Sequence, residues 1–333
     1  MNKAVVEQLI KAMPSTDGAG VKLLRALHGP SMQRRLDPWL MLDYFSSDKP
    51  DDYLAGFPDH PHRGFETITI MLEGRMLHRD SRGNQGLLEP GDVQWMRAAR
   101  GIVHSEMPQQ VSGRLAGFQL WLNLPASHKM SEAQWRDIDA SLIPRWEHPK
   151  GHFLRLIAGE LPKQLDQFRC VDDHSIGPLE QSLSEPMILH GEFVSALQAD
   201  EALEISISQD HNAFIYMIDD GLIINQQAVP GACMAVLSRQ SDRLRLYGQG
   251  AFLLVSGRPI NEPIAQMGPF VMNTKREVLQ AFEDFQKGLL GSIPAIYKED
   301  AKRPTQGNAI KRTDKLSGDI LNVHNAPTDM QES

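Results

Sequence analysis

The run Thr67-Ile-Thr-Ile-Met-Leu72, then Glu73-Gly74, then Arg75-Met-Leu-His-Arg79 reads as a β-hairpin. Residues alternate or favour β structure on either side of a glycine placed where positive φ is easiest. Pro90-Gly91-Asp92 next turns the chain into Val93-Gln-Trp-Met96, and Arg100-Gly101 turns it into Ile102-Val-His-Ser-Glu106. Phe118-Gln-Leu-Trp-Leu122 is another alternating run. Consecutive short strands cut by Gly and Pro turns predict an all-β sandwich or small barrel.

After Asn123-Leu-Pro125 the pattern breaks into a polar segment, Ser131-Glu-Ala-Gln-Trp135, read as helical and ending near Pro144. A domain boundary is expected there, giving residues 1–140 and 141–296. Strand-like runs resume with Phe153-Leu-Arg-Leu-Ile157, Leu203-Glu-Ile-Ser-Ile207, Ala213-Phe-Ile-Tyr-Met217 and Phe252-Leu-Leu-Val255. Two β domains of similar texture suggest duplication. Near the end, Thr274 and Glu277 form a capping box. Val278, Leu279, Phe282 and Phe285 make an apolar face, and Gly288 is a terminator, so a helix packed on a sheet is predicted. Residues 297–333 are polar, with too few apolar side chains to offset chain entropy, and are expected to be disordered.

A chain of 333 residues can bury two cores without disulfides or structural metals, so any metal would be functional. Its 41% hydrophobic and 23% charged residues are those of a globular protein and argue against a fibrous or disordered one. Cys170 and Cys233 are isolated and give no thiolate zinc motif, leaving His and carboxylate as ligands and favouring a reducing compartment. Charges through Met1–Lys11 leave no apolar signal-peptide region, and no run of some 18 uncharged apolar residues exists. A cytoplasmic protein away from the membrane is expected. A net charge of −8 works against direct, sequence-independent nucleic-acid binding.

His60-Pro61-His62 sets two imidazoles at i and i+2, on one face of an extended segment. His104-Ser105-Glu106 repeats the spacing on a later strand, and a small barrel can point both faces into one cavity. Three nitrogens and one oxygen result, with coordination positions left for water, substrate or O₂. Either pair alone is common on strands without a metal. Glu66 competes for the carboxylate position, or serves as an outer carboxylate orienting a ligand histidine. It lies roughly 13 Å beyond His62 along a straight strand, so ligation needs a sharp bend at Gly64. His190-Gly-Glu192 copies the HxE spacing without a preceding HxH and reads as a surface loop. His78, His128, His148, His152, His174 and His211 lack ligand-spaced partners and read as surface or satisfied polar residues.

Pro58-Asp-His-Pro-His-Arg-Gly-Phe-Glu-Thr67, Gly91-Asp-Val-Gln-Trp-Met96 and Gly101-Ile-Val-His-Ser-Glu-Met-Pro108 resemble the N-terminal domain of the pirin family. The resemblance extends to Leu36–Asp43 and Phe118–Pro125, and Gly257–Pro263 and Gly268–Thr274 resemble its C-terminal cupin. It implies two tandem cupin (jelly-roll) barrels with a few short helices, and metal only in the first, held by His60, His62, His104 and Glu106. The second barrel would have lost its ligands, and because no second HxH exists in the sequence its cavity is expected to be plugged by apolar side chains. Similar proteins act as flavonol (quercetin) 2,3-dioxygenases or as regulatory proteins that bind a transcription factor or metabolic enzyme.

The implied chemistry is flavonol ring cleavage with O₂ and loss of CO, with Glu106 as general base toward the 3-hydroxyl. Phe57, Arg63 and Gln119 are expected at the pocket rim from adjacency and alternation, and Asp43 behind it from resemblance alone. Fe(II) is the expected ion, while Mn, Co, Ni, Cu and Zn suit the same ligands.

Overall fold

A computed structural model describes residues 5–172, 174–239 and 242–294. The first barrel closes a seven-stranded sheet against a four-stranded one. The larger sheet runs in the order Gln134–Ile138, Val93–Arg97, Phe65–Glu73, Leu115–Asn123, Trp39–Ser47, Val21–Leu27 and Met13–Asp17. The smaller runs Phe57–His62, Ile102–Pro108, Met76–Asp80 and Gln85–Leu88. The segment after Pro125, expected to be helical, instead places Gln134–Ile138 as an edge strand against Val93–Arg97. Its Ile138 is fully buried, which a strand at the edge of the core allows.

Alternation along the larger sheet sorts its side chains. Leu42, Tyr44, Ile68, Ile70, Phe118 and Leu120 face the second barrel and merge with Phe214, Tyr216, Met234, Val236, Leu253 and Val255 into one apolar cluster. Trp39 meets Phe214 edge-on at 6.2 Å, and Phe118 meets Tyr216 at 5.7 Å. Residues of opposite parity, among them Asp43, Thr69, Gln119 and Trp121, therefore face the interior of the first barrel.

The second barrel is built on a twelve-stranded sheet in which Arg243–Gly257 pairs with Met187–Leu197 and Asn212–Met217. Trp146, Phe168, Phe193 and Phe252 fill its interior together with leucines and isoleucines. The chain ends cross over. Val6–Lys11 pairs with Cys233–Leu237 of the second barrel, while the hairpin Ala265–Met267/Phe270–Met272 and the helix Lys275–Gln286 pack against the first. A cut at residue 140 thus leaves each barrel holding an element from beyond the cut. The capping box forms as read, with Thr274 Oγ1 accepting from the Glu277 amide. Val278 and Ala281 are the buried positions of that helix and Leu279 is exposed, because the contact stripe is narrower than the apolar pattern. Residues 297–333 lie outside the described residues. Among those described, no helix is long and apolar enough to cross a membrane.

The C-terminal segment grips the chain just past His62. Arg63 exchanges backbone hydrogen bonds with Pro269 and Val271, and Lys129 Nζ donates to the carbonyls of Gly64 and Val271 at 2.7 and 3.1 Å. Gly64 has φ +91, and an added Cβ would fall 1.9 Å from the Val271 carbonyl oxygen. Backbone strain and a backbone clash both follow, so Gly64→Ala is expected to cost about 3 kcal/mol or more of unfolding free energy. Denaturant unfolding checks this, and a loss under 1 kcal/mol, which is about the benign range of point changes, would mean the segment yields easily.

Candidate metal centre

His60 stands directly across from His104 in the antiparallel register, and His62 across from Ile102. Because i and i+2 share a face, three imidazoles converge. Ring centroids are 4.2 Å apart for His60–His104, 4.7 Å for His60–His62 and 4.9 Å for His62–His104. One ligand-type nitrogen from each lies within 4.8 Å of the others. Glu106 follows a register shift after His104, and a ligand atom from each of Glu106, His104 and His78 lies within 4.8 Å of the others. His104 is common to both groups.

Burial, and then the nearby His60, push the His62 and His104 imidazoles well below their ordinary range. They are neutral at pH 7, the form whose lone pair binds a metal. His62 Nδ1 and His104 Nε2 are buried without any hydrogen-bond partner, which is costly unless something else takes the lone pair. His60 Nδ1 sits 2.8 Å from the Pro58 carbonyl, leaving its Nε2 free to ligate. Unpartnered nitrogens, neutral rings and an adjacent carboxylate fit a divalent metal ion.

A cavity of about 840 Å³ reaches His60, His62 and Glu106. Met41, Phe45, Phe57, Trp121 and Ile264 supply apolar walls, and Arg25, Asp43 and Gln119 supply polar ones. Asp43, Gln119 and Thr69 form one cross-strand row on the larger sheet. Thr69 Oγ1 lies 3.1 Å from Glu106 Oε1 and 2.6 Å from Gln119 Oε1, so its single proton serves one of them at a time. Gln119 Nε2 donates to Glu106 Oε2 at 3.4 Å. Asp43 accepts from the Arg25 guanidinium through both oxygens, at 2.8 and 2.5 Å.

Asp43, Phe57 and Gln119 thus line the cavity, whereas Arg63 and Glu66 do not. Arg63 turns outward to Asp284 Oδ2 at 2.7 Å and to the Arg100 carbonyl, tying the metal strand to the C-terminal helix. Glu66 shares the parity of Ile68 and Ile70 and therefore faces the second barrel. There it holds Arg97 Nε and Ser182 Oγ, each at 2.8 Å, so it orients no ligand histidine. Two further residues at the site are His78, read from the sequence as a surface or satisfied polar residue, and Trp121, which the sequence reading did not single out. His78 is fully buried, with its Nδ1 3.5 Å from His104 Nδ1, its Nε2 3.7 Å from Asp80 and its ring stacked on Trp135. Trp121 packs edge-on against His62 at 5.1 Å, and its parity with Gln119 was the available signal. His190 and Glu192 lie on a strand rather than a surface loop, with His190 buried.

The Pirin family model matches residues 20–122, and the model for the pirin C-terminal cupin domain matches residues 193–291. A Pseudomonas aeruginosa protein named provisionally as a quercetin 2,3-dioxygenase is 43% identical over 86% of this chain and 97% of its own. A pirin-like protein of Caulobacter vibrioides is 41% identical over 85% and 98%. The structure of quercetin 2,3-dioxygenase from Acinetobacter baumannii superposes with a TM-score of 0.79 at 30% identity, covering 88% of this chain and all of that one. The Escherichia coli pirin YhhW, solved with nickel(II), shares the fold at 16% identity and TM-score 0.55, over 76% of this chain and 98% of its own. With both family models matched in order and full-length relatives above 40% identity, the chain belongs to the pirin family.

Proposed function

We propose that this protein is a metal-dependent dioxygenase that opens the heterocyclic ring of a flavonol such as quercetin with O₂ and releases CO. The observation that carries the reading is the 840 Å³ cavity ending on His60, His62 and Glu106. It is of a size that takes a small aromatic molecule. A plugged first barrel would instead have favoured a regulatory protein that uses only its surface to bind a transcription factor or metabolic enzyme. The names of the relatives and of the Acinetobacter structure support the same reading.

In this reading His60, His62, His104 and Glu106 hold one divalent ion. Iron(II) is the proposed ion, although the donor set accepts Mn, Co, Ni, Cu and Zn as well. When bound, the ion supplies the positive charge that acidifies the 3-hydroxyl and the electronic path by which O₂ reacts with a closed-shell substrate.

Glu106 takes the 3-hydroxyl proton as general base. Thr69 turns its own proton toward Glu106 while that carboxylate is charged, and toward Gln119 once it is protonated. Phe57, Met41 and Trp121 hold the flat rings and keep water from the reacting carbons. The O–O bond breaks, leaving one oxygen of O₂ on C2 and the other on C4. The C2–C3 and C3–C4 bonds break, and C3 leaves as CO with its own oxygen. The proton on Glu106 returns to the carboxylic acid formed at C4, so no external reductant enters. A reducing compartment such as the cytoplasm suits the two buried free cysteines.

Oxygen uptake with quercetin and with luteolin, which lacks the 3-hydroxyl, tests this directly. Uptake with quercetin and little with luteolin is expected, since luteolin has no proton for Glu106 to take. Equal rates would remove Glu106 as base.

A further inference from the structure

A second cavity, of about 570 Å³, lies where the barrels meet, between Tyr44, Leu72 and Gly91 of the first and Phe153 and Ile218 of the second. The register brings Arg145, Arg155 and His190 into one row across three adjacent strands of the second barrel. Like charges directly opposite one another in a sheet repel, so this row needs a counter-charge. Arg145 finds relief by stacking on Phe153 at 4.4 Å and pairing with Glu147 at 3.0 Å. Arg155 does not. It donates to the Gly91 carbonyl and has the charge of Asp92 nearby, but among the described residues it makes no ion pair.

His190 beside it is 6% exposed, and its Nδ1 has no hydrogen-bond partner. Burial, and then the charges of Arg155 and Arg145, push its imidazole down to about 3, so it brings hydrogen-bonding capacity and Arg155 brings the charge. A cation without an ion pair and an imidazole with an unmet hydrogen bond, side by side at a cavity wall, are the mark of a site completed by a ligand.

The neighbouring cross-strand row is Phe153, Glu192 and Ala251, with Asp219 beside it. Asp219 Oδ1 already accepts from the Ala251 amide at 3.1 Å. Burial, and then the charge of Asp219, raise the Glu192 carboxyl, which leaves it suited to hydrogen bonding with a neutral group. The cavity is therefore cationic along one row and acidic along the next, between apolar walls.

We infer that this cavity binds a small hydroxylated carboxylate, with its carboxylate on Arg155 and His190 and its hydroxyl on Glu192. A charge-assisted pair with Arg155 supplies the affinity, and the acidic row supplies selectivity against anions that carry no donor. The site shares no residue with the metal centre, so it stands whether or not the flavonol reading does.

Calorimetric titration of the metal-loaded full-length protein with 4-hydroxybenzoate, benzoate, 4-hydroxybenzamide and inorganic phosphate tests the inference. 4-Hydroxybenzoate is expected to bind best, benzoate about tenfold more weakly for want of the hydroxyl, and the uncharged amide more weakly still. Arg155→Met is expected to weaken 4-hydroxybenzoate by about thirtyfold. Glu192→Ala, a milder change to the fold, should abolish the preference over benzoate while leaving benzoate itself unaffected. The melting temperatures of both ligand-free variants guard against misfolding. Three results would overturn the assignment: no binding at millimolar ligand, phosphate binding as tightly as 4-hydroxybenzoate, or undiminished binding in Arg155→Met, which would put the ligand in the metal cavity.

Discussion

Glu106→Gln is expected to retain most of its metal and lose about 10²- to 10⁴-fold of its flavonol cleavage, the contribution typical of a positioned general base. The substitution keeps the shape of the side chain, so Thr69 and Gln119 still meet it. As a ligand, a neutral amide oxygen is poorer than a carboxylate, yet His60, His62 and His104 remain. As a base, the amide cannot accept the 3-hydroxyl proton at all. The comparison is made at equal occupancy, by reloading the variant to the wild-type metal content before measuring O₂ consumption with quercetin. A wild-type rate in the reloaded variant would show that some other group takes the proton.

His62→Ala is expected to fail differently, losing metal and activity together. Removing an outer-shell partner already costs about 10- to 100-fold in metal affinity, so loss of a buried imidazole ligand should exceed that. His62 is also packed between Phe65 and Trp121, with ring centroids 5.0 and 5.1 Å away, and its removal opens a void. The thermal transition of the metal-free variant, set beside that of metal-free wild type, separates this packing loss from the metal loss. Metal content by elemental analysis after equilibration with excess ion reads the rest. Full occupancy with activity near wild type would mean that His62 is no ligand.

Much of this site was legible because the spacing of a strand is so regular. Two residues at i and i+2 share a face wherever the strand sits, and HxH and HxE therefore announced converging donors before any fold was known. The same rule misled at Glu66. Parity resets when the chain turns at Gly64, and counting from His62 cannot say which face the next strand offers to the cavity. Parity within Phe65–Glu73 itself, where Glu66 keeps step with Ile68 and Ile70, turns it toward Arg97 and Ser182.

His78 was hidden for a different reason. It reaches His104 across a strand pairing, Glu106 opposite His78 and His104 opposite Asp80, and register is a tertiary fact. Partnerships over long separations were equally invisible. Val6–Lys11 is a strand only because Cys233–Leu237 lies beside it, and Arg63 reads as a rim residue until Asp284 arrives from 221 positions away. His190-Gly-Glu192 lost its meaning in one dimension, since its HxE spacing names a shared face but not that the face looks onto the other barrel.

The central claim is that the cavity ending on His60, His62 and Glu106 cleaves flavonols by way of one metal that these residues bind together with His104. Its most direct test is the stoichiometry of gas exchange. Protein stripped of metal, reloaded anaerobically with iron(II) and mixed with quercetin and air is predicted to consume O₂ and release CO in equal amounts, while the stripped protein does neither. If the protein loaded in turn with iron, manganese, nickel or copper took up no O₂ and released no CO, the enzyme account would be contradicted and the cavity would have to serve a binding protein instead.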